Sequence, residues 1–268
     1  MRPGVKQVHL TRAVRAVCQS NQSAACARHA CVEVRALAFD VFGTVVDWRG
    51  SVAAEVTAVA VRNGIATEAG MAEAFADAWR GRYGPSMDRV RRGEIGWRAL
   101  DDLHRSSLEE LLDQFGLGRL GPEERNELTL AWHRLRPWPD AVEGLTRLRR
   151  RHVLCTLSNG NVALLVDLAR FGGLLFDCIL SAELCRAYKP DPRTYRLVPS
   201  LLRVRPDEVM MVAAHAADLR AAAAEGLRTA FVHRPLEWGS GGGGEPAPHG
   251  EFDVVGEDFL DLAEHLAG

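Results

Sequence analysis

Four short segments of this 268-residue chain place reactive groups where an apolar run ends or a helix begins. Arg35-Ala-Leu-Ala-Phe-Asp40 ends in a carboxylate, and Phe42, Gly43 and Thr44 follow it. The apolar run at 152–157 leads into Ser158-Asn159-Gly160, and Tyr188-Lys189-Pro190-Asp191 opens a helical stretch. A last apolar run, 209–213, leads to His215-Ala-Ala-Asp218. One carboxylate at a strand end would mean little, because Asp is common in turns and caps. Two carboxylates, a hydroxyl beside an amide, and an ammonium at four loops of one sheet edge would meet in a single pocket. Such groups can attack a small substrate or hold and balance its charge.

The elements that must position them follow from hydrophobic periodicity. Continuous apolar runs such as the one before Asp40 suit strands buried on both faces of a parallel sheet. From about 51 to 135 the period is helical, with Val52, Val56, Val59 and Ala60, then Ala74, Phe75, Ala78 and Trp79, then Trp97, Leu100, Leu103 and Leu108. From Pro137 the chain alternates: helix 140–150, strand 152–157, helix 161–170, strand 177–180, helix 192–202, strand 209–213, helix 217–225, strand 228–232. A glycine-rich loop at 239–250 precedes a short strand at 252–255 and a helix at 259–266. Such alternation predicts an α/β fold with a parallel sheet and right-handed crossovers, split after its first strand by a helical insertion. In open α/β sheets ligands bind at the carboxyl ends of the strands, where the four segments fall.

Composition narrows the function classes. With 47% hydrophobic and 25% charged residues the chain matches ordinary globular domains. A net charge of −2 gives no general attraction to nucleic acid or anionic membrane, and no apolar run approaches the roughly 18–20 residues of a membrane span. The cluster Arg147-Leu-Arg-Arg-Arg151 lies at a predicted helix end, where cations suit the dipole. Six cysteines without a CxxC pair read as buried free thiols in a reducing, cytoplasmic setting. Residues 1–33 hold five Lys/Arg and no acid before Glu33. They read either as a transit-like leader or as a dispensable extension, expected to be disordered. Of the 33 basic residues only Lys6 and Lys189 are lysine.

Phe39-Asp40-Val-Phe-Gly-Thr44-Val-Val-Asp-Trp-Arg resembles the first motif of the haloacid dehalogenase superfamily. Leu157-Ser158-Asn159-Gly is similar to its second motif, Lys189-Pro-Asp-Pro to its third and Asp218 to its fourth. The gaps of 118, 31 and 29 residues fit, the first being long because this superfamily places a helical cap there. The resemblance covers about 35–265. It implies a Rossmann-like catalytic core of residues 34–50 and 136–268, with 51–135 as the cap. Where the superfamily's phosphatases carry a second Asp that protonates the leaving alkoxide, this chain has Phe42, whose ring donates no proton. The fourth motif holds only Asp218, a thin donor set for Mg²⁺.

A halide leaving group needs neither proton nor metal, and the sequence is similar above all to the type II, L-specific 2-haloacid dehalogenases. That resemblance implies hydrolysis of haloacetates or L-2-halopropionate to a 2-hydroxy acid and halide through an aspartyl ester, without cofactor or metal. It makes Asp40 the nucleophile, Lys189 its electrostatic partner, and Asp218 the group that positions or deprotonates water. Ser158 and Thr44 would hold the substrate carboxylate or Asp40, and Asn159 the departing halide. Arg80, in a Trp79-Arg80 pair of the cap, would meet halide and substrate. Phe42, Trp48 and Tyr195 would shape the pocket. His215 departs from the hydroxyl and amide side chains of the better-known bacterial enzymes. It is read three ways: as a contact of the hydrolytic water, as part of the halide pocket, or as a helix cap. The resemblance also implies a small-molecule partner and a possible homodimer. Two other readings stay open: a Mg²⁺-dependent phosphatase or phosphonate hydrolase of the same superfamily, and an idle fold kept for protein binding.

Overall fold

The computed structural model describes residues 33–246 and 250–267; the expectations for residues 1–32, and for Cys18, Cys26 and Cys31 within them, lie outside the described residues. Six parallel strands form the central sheet: β1 (Ala36–Phe39), β4 (Val153–Ser158), β5 (Cys178–Ser181), β6 (Val209–Ala213), β7 (Arg228–Val232) and β8 (Val254–Gly256). Their spatial order is β5-β4-β1-β6-β7-β8. The chain runs from β1 outward to β4 and β5 on one side and then to β6, β7 and β8 on the other. The direction therefore reverses beside β1, and a crevice opens at that switch point.

The period of two within each strand divides the core. Leu37, Phe39, Met210 and Val212 face one layer. Ala36, Ala38, Cys155, Leu157, Met211 and Ala213 face the other, where Tyr195, Val198, Leu219 and Ala222 meet them. Both faces are covered, which is why these strands read as continuous apolar runs.

Helices α1 (Trp48–Arg62), α2 (Met71–Arg91), α3 (Leu100–Leu111) and α4 (Pro122–Thr129), with a 3₁₀ turn at Leu130–Arg134, fill the interval after β1. The helical stretch begins at Trp48, not 51, because Asp47 accepts a hydrogen bond from the Gly50 amide at 2.9 Å and caps α1. Two-residue strands, β2 (Val46–Asp47) and β3 (Arg136–Pro137), pair antiparallel and clip the two ends of the insertion together. Period alone does not reveal so short a clip.

After β3 come α5 (Ala141–Leu148), α6 (Val162–Gly172), α7 (Pro192–Tyr195), α8 (Leu197–Leu202), α9 (Ala216–Ala224) and α10 (Phe259–His265). The single helix expected at 192–202 is broken at Arg196. Pro199 has no N–H to return to the Tyr195 carbonyl, so the ladder lapses there.

Candidate active site

Asp40 follows β1 at the switch point, its backbone N–H bonded to the Val212 carbonyl of β6 at 3.0 Å. The next turn folds back on itself through Val45 N–H to Val41 O, with Gly43 at φ +85°. This returns the Thr44 side chain to Asp40, and its hydroxyl donates to Oδ2 at 2.8 Å. The same hydroxyl accepts the Ala214 N–H at 2.9 Å, which ties the end of β6 to the end of β1. Gly43 is required twice over, since a Cβ there would lie 2.2 Å from Oε1 of Glu237.

Lys189 Nζ reaches Asp218 Oδ2 at 2.7 Å and Asp40 Oδ1 at 3.4 Å. Asn159 holds the lysine loop by accepting the Lys189 N–H at 2.8 Å, and Tyr195 donates its hydroxyl to Asp218 Oδ1 at 2.6 Å. On the other side, His215 Nδ1 meets Asp40 Oδ2 at 3.2 Å, while Nε2 meets both Glu237 oxygens at 3.1 Å. Carboxylates only accept, so each ring nitrogen carries a proton and the ring is an imidazolium.

The charges support this. Burial opposes ionisation of Asp40, yet Lys189, His215 and Thr44 outweigh it and hold the carboxyl well below its usual range. Burial also opposes the charge on His215, but Asp40 and Glu237 push its pKa up to about 10. Lys189 rises despite burial because Asp218 and Asp40 flank it. Asp218 rises, first through burial and then through Asp40, against the pull of Lys189. It is therefore a better proton acceptor than an ordinary aspartate.

A cleft of about 250 Å³ opens onto these groups, lined by Asp40, Phe42, Arg80, Tyr83, Asn159, Lys189, Pro190, Tyr195, His215, Ala217 and Asp218. The Arg80 guanidinium lies 4.2 Å over the Tyr83 ring and 5.4 Å over Trp48, and its buried Nη1 has no hydrogen-bond partner among the described residues. Phe42 packs edge-on against Tyr83 and Trp132.

Eight of the eleven residues singled out in the sequence therefore line one cleft, and Thr44 touches Asp40 from behind. Two are placed differently. Ser158 is fully buried and its hydroxyl accepts the Gly160 N–H at 3.2 Å, so it shapes the turn that carries Asn159. Trp48 is also fully buried, beneath Arg80, and donates Nε1 to Glu237 at 3.1 Å. For His215 the helix-cap reading is corrected: it precedes α9, but its side chain makes no capping bond. Both nitrogens are bonded to carboxylates, and the ring lines the cleft.

Three residues escaped the sequence reading. Glu237, only 2% exposed, comes from the segment after β7. Arg234 grips Asp140 through two 2.8 Å bonds and donates Nε to the Thr44 carbonyl at 2.9 Å, anchoring the turn and the Glu237 segment together. Tyr83 lies one helical turn after Arg80 and supplies the face on which it stacks. That i, i+3 spacing was the only usable signal; the isolated acid in Leu236-Glu237-Trp238 carries none.

The sequence matches the family of haloacid dehalogenase-like hydrolases over residues 34–226. It is 32% identical over 207 residues to (S)-2-haloacid dehalogenase 1 of Pseudomonas sp. (strain CBS-3), covering 75% of this chain and 85% of that protein. A defluorinating L-2-haloacid dehalogenase of known structure superposes with a TM-score of 0.83 at 44% identity, over 88% of this chain and 96% of that one. The L-2-haloacid dehalogenase of Xanthobacter autotrophicus, solved with chloropropionic acid covalently bound, gives a TM-score of 0.71 at 26% identity, over 88% and 99% of the two chains. The chain belongs to the haloacid dehalogenase-like hydrolases. It is an enzyme, and the relatives it matches cleave carbon–halide bonds.

Proposed function

We propose that the protein hydrolyses short 2-haloalkanoic acids, haloacetates and L-2-halopropionate, through an ester on Asp40. The observation that carries this reading is the Arg80 guanidinium, buried with Nη1 unpartnered among the described residues, in the same cleft as an ionised Asp40. An anionic leaving group would satisfy that donor. Asp40 would attack the halogen-bearing carbon, and halide would depart toward Arg80 and Asn159. Water, deprotonated by Asp218, would then hydrolyse the ester. The covalent adduct of the Xanthobacter autotrophicus relative supports such an intermediate. The helices of 48–134 act as a cap, since α2 brings Arg80 and Tyr83 to the sheet edge.

The reaction is expected to proceed without metal. The two carboxylates that line the cleft, Asp40 and Asp218, face three cations, Lys189, His215 and Arg80, so no surplus negative charge there draws a divalent ion. Phe42 supplies no acid for an alkoxide, which weighs against phosphomonoester hydrolysis.

The test is halide release, with EDTA present, from chloroacetate, fluoroacetate and racemic 2-chloropropionate, beside p-nitrophenyl phosphate with Mg²⁺. Halide from the wild type and none from Asp40→Asn is expected. Phosphate release without halide would overturn the reading.

A further inference from the structure

The two oxygens of Asp40 are held unequally. Oδ2 receives the Thr44 hydroxyl and the His215 ring, at 2.8 and 3.2 Å; among the described residues Oδ1 receives only the Lys189 ammonium, at 3.4 Å. Resting on the dehalogenase reading, we propose that Oδ1 is the attacking oxygen and that the His215 imidazolium, with the Thr44 hydroxyl, forms the oxyanion site at Oδ2 for ester hydrolysis. Glu237 is the positioning residue that keeps His215 in place and protonated.

The electron count follows the geometry. An Oδ1 lone pair forms the bond to the substrate carbon, and the carbon–halogen pair leaves with halide. Oδ2 is then the carbonyl oxygen of the ester. Water adds to Cγ, its proton passing to Asp218, and the carbonyl π pair moves onto Oδ2, between two donors already in place. The pair returns, the Cγ–Oδ1 bond breaks, and Oδ1 leaves on the 2-hydroxy acid as the proton returns to it from Asp218; the new Asp40 carboxylic acid then releases the second water proton to solvent and is a carboxylate again.

Glu237 matters most in the second step. In the free enzyme two carboxylates share the His215 protons. Once Asp40 is esterified its charge is gone, and Glu237 alone holds the imidazolium charged. Glu237 is itself fixed by the Trp48 Nε1–H and stays ionised against its burial, chiefly through His215 and with help from Arg80. The charged groups around this ring are Asp40 on the β1 end, Glu237 after β7, Arg80 from α2, Lys189 from its loop, Asp218 on α9, and Glu245, which accepts the Ala216 N–H. Because both ring nitrogens already donate, His215 is not the base that activates water.

The experiment compares wild type with Glu237→Gln, which keeps the shape and can still accept from Trp48. Rapid-quench assays with chloroacetate separate the halide burst from glycolate release, and intact-protein mass spectrometry detects the glycolyl ester. We expect the burst to persist while turnover falls roughly a hundredfold, as for loss of one oxyanion donor, with ester accumulating on Asp40. The alkaline limb of turnover should move to lower pH. Ring-nitrogen NMR of His215 gives a reading independent of turnover: both nitrogens protonated at pH 9 in wild type, one deprotonated in Glu237→Gln. Burst and turnover slowed equally, an unmoved alkaline limb, or a rate that rises as His215 deprotonates would overturn the proposal. Wild type that releases no halide would instead sink the dehalogenase reading itself.

Discussion

His104 lies flat against Trp132, ring centroids 4.2 Å apart and planes 18° apart, with both imidazole nitrogens buried and without hydrogen-bond partners among the described residues. Burial depresses its pKa to about 3, Asp101 opposing and Arg80 reinforcing the shift. A depressed group contributes stability above its unfolded pKa of 6.5 and loses it as pH falls. One proton taken up on unfolding costs about 1.4 kcal/mol per pH unit below that value. His104→Phe keeps the stacking and removes the titration. Denaturant midpoints at pH 7 and pH 5 should show the variant losing less stability than wild type; parallel losses would refute this.

The His133 ring lies between Asp167 of α6, at 2.8 Å from Nδ1, and Asp101 of α3, at 3.1 Å from Nε2. Burial opposes its charge, but the two carboxylates raise its pKa. A raised group stabilises fully below 6.5 and loses that contribution as pH climbs through the raised value. The gap in stability between wild type and His133→Gln is therefore expected to be wider at pH 6 than at pH 9.

Arg80 is stacked on Tyr83 as a planar group, and lysine reproduces neither the stack nor the fork. Arg80→Lys should lower kcat/KM for chloroacetate about 10- to 100-fold, the range of a hydrogen bond to a charged group. Steady-state kinetics with a melting curve separate this from a folding defect. Undiminished kcat/KM would remove Arg80 from the halide pocket.

At Gly43 a side chain meets both a positive φ and the Glu237 carboxylate. Gly43→Ala should cost at least about 1–2 kcal/mol of stability from the left-handed backbone alone. It should also slow ester hydrolysis, because Glu237 is pushed from His215. A melting temperature equal to wild type would show that the turn relaxes freely.

The parallel sheet was legible because its central strands, β1 and β6, are buried along their whole length and read as unbroken apolar runs. Asp40, Asn159, Lys189 and Asp218 were legible because each stands where such a run or its following loop ends. Ser158 looked like a site residue by the same rule, yet one more residue of strand turns its hydroxyl inward to Gly160. Glu237 was invisible, since 22 residues separate it from His215 and only the return of the chain after β7 joins them. Arg234 was lost among 31 arginines, where no composition signal distinguishes a buried anchor from a solvated one.

Lys189 is 6% exposed, bonded to Asp218 and Asp40, and holds its proton more tightly than a free lysine. It is also the only side-chain amine after residue 6. Amine acylation at residue 189 should therefore be silent while the fold is intact and should proceed once the site opens. The electrostatic partner of the nucleophile doubles as a built-in reporter of unfolding, readable by labelling in a crude mixture without any engineered tag.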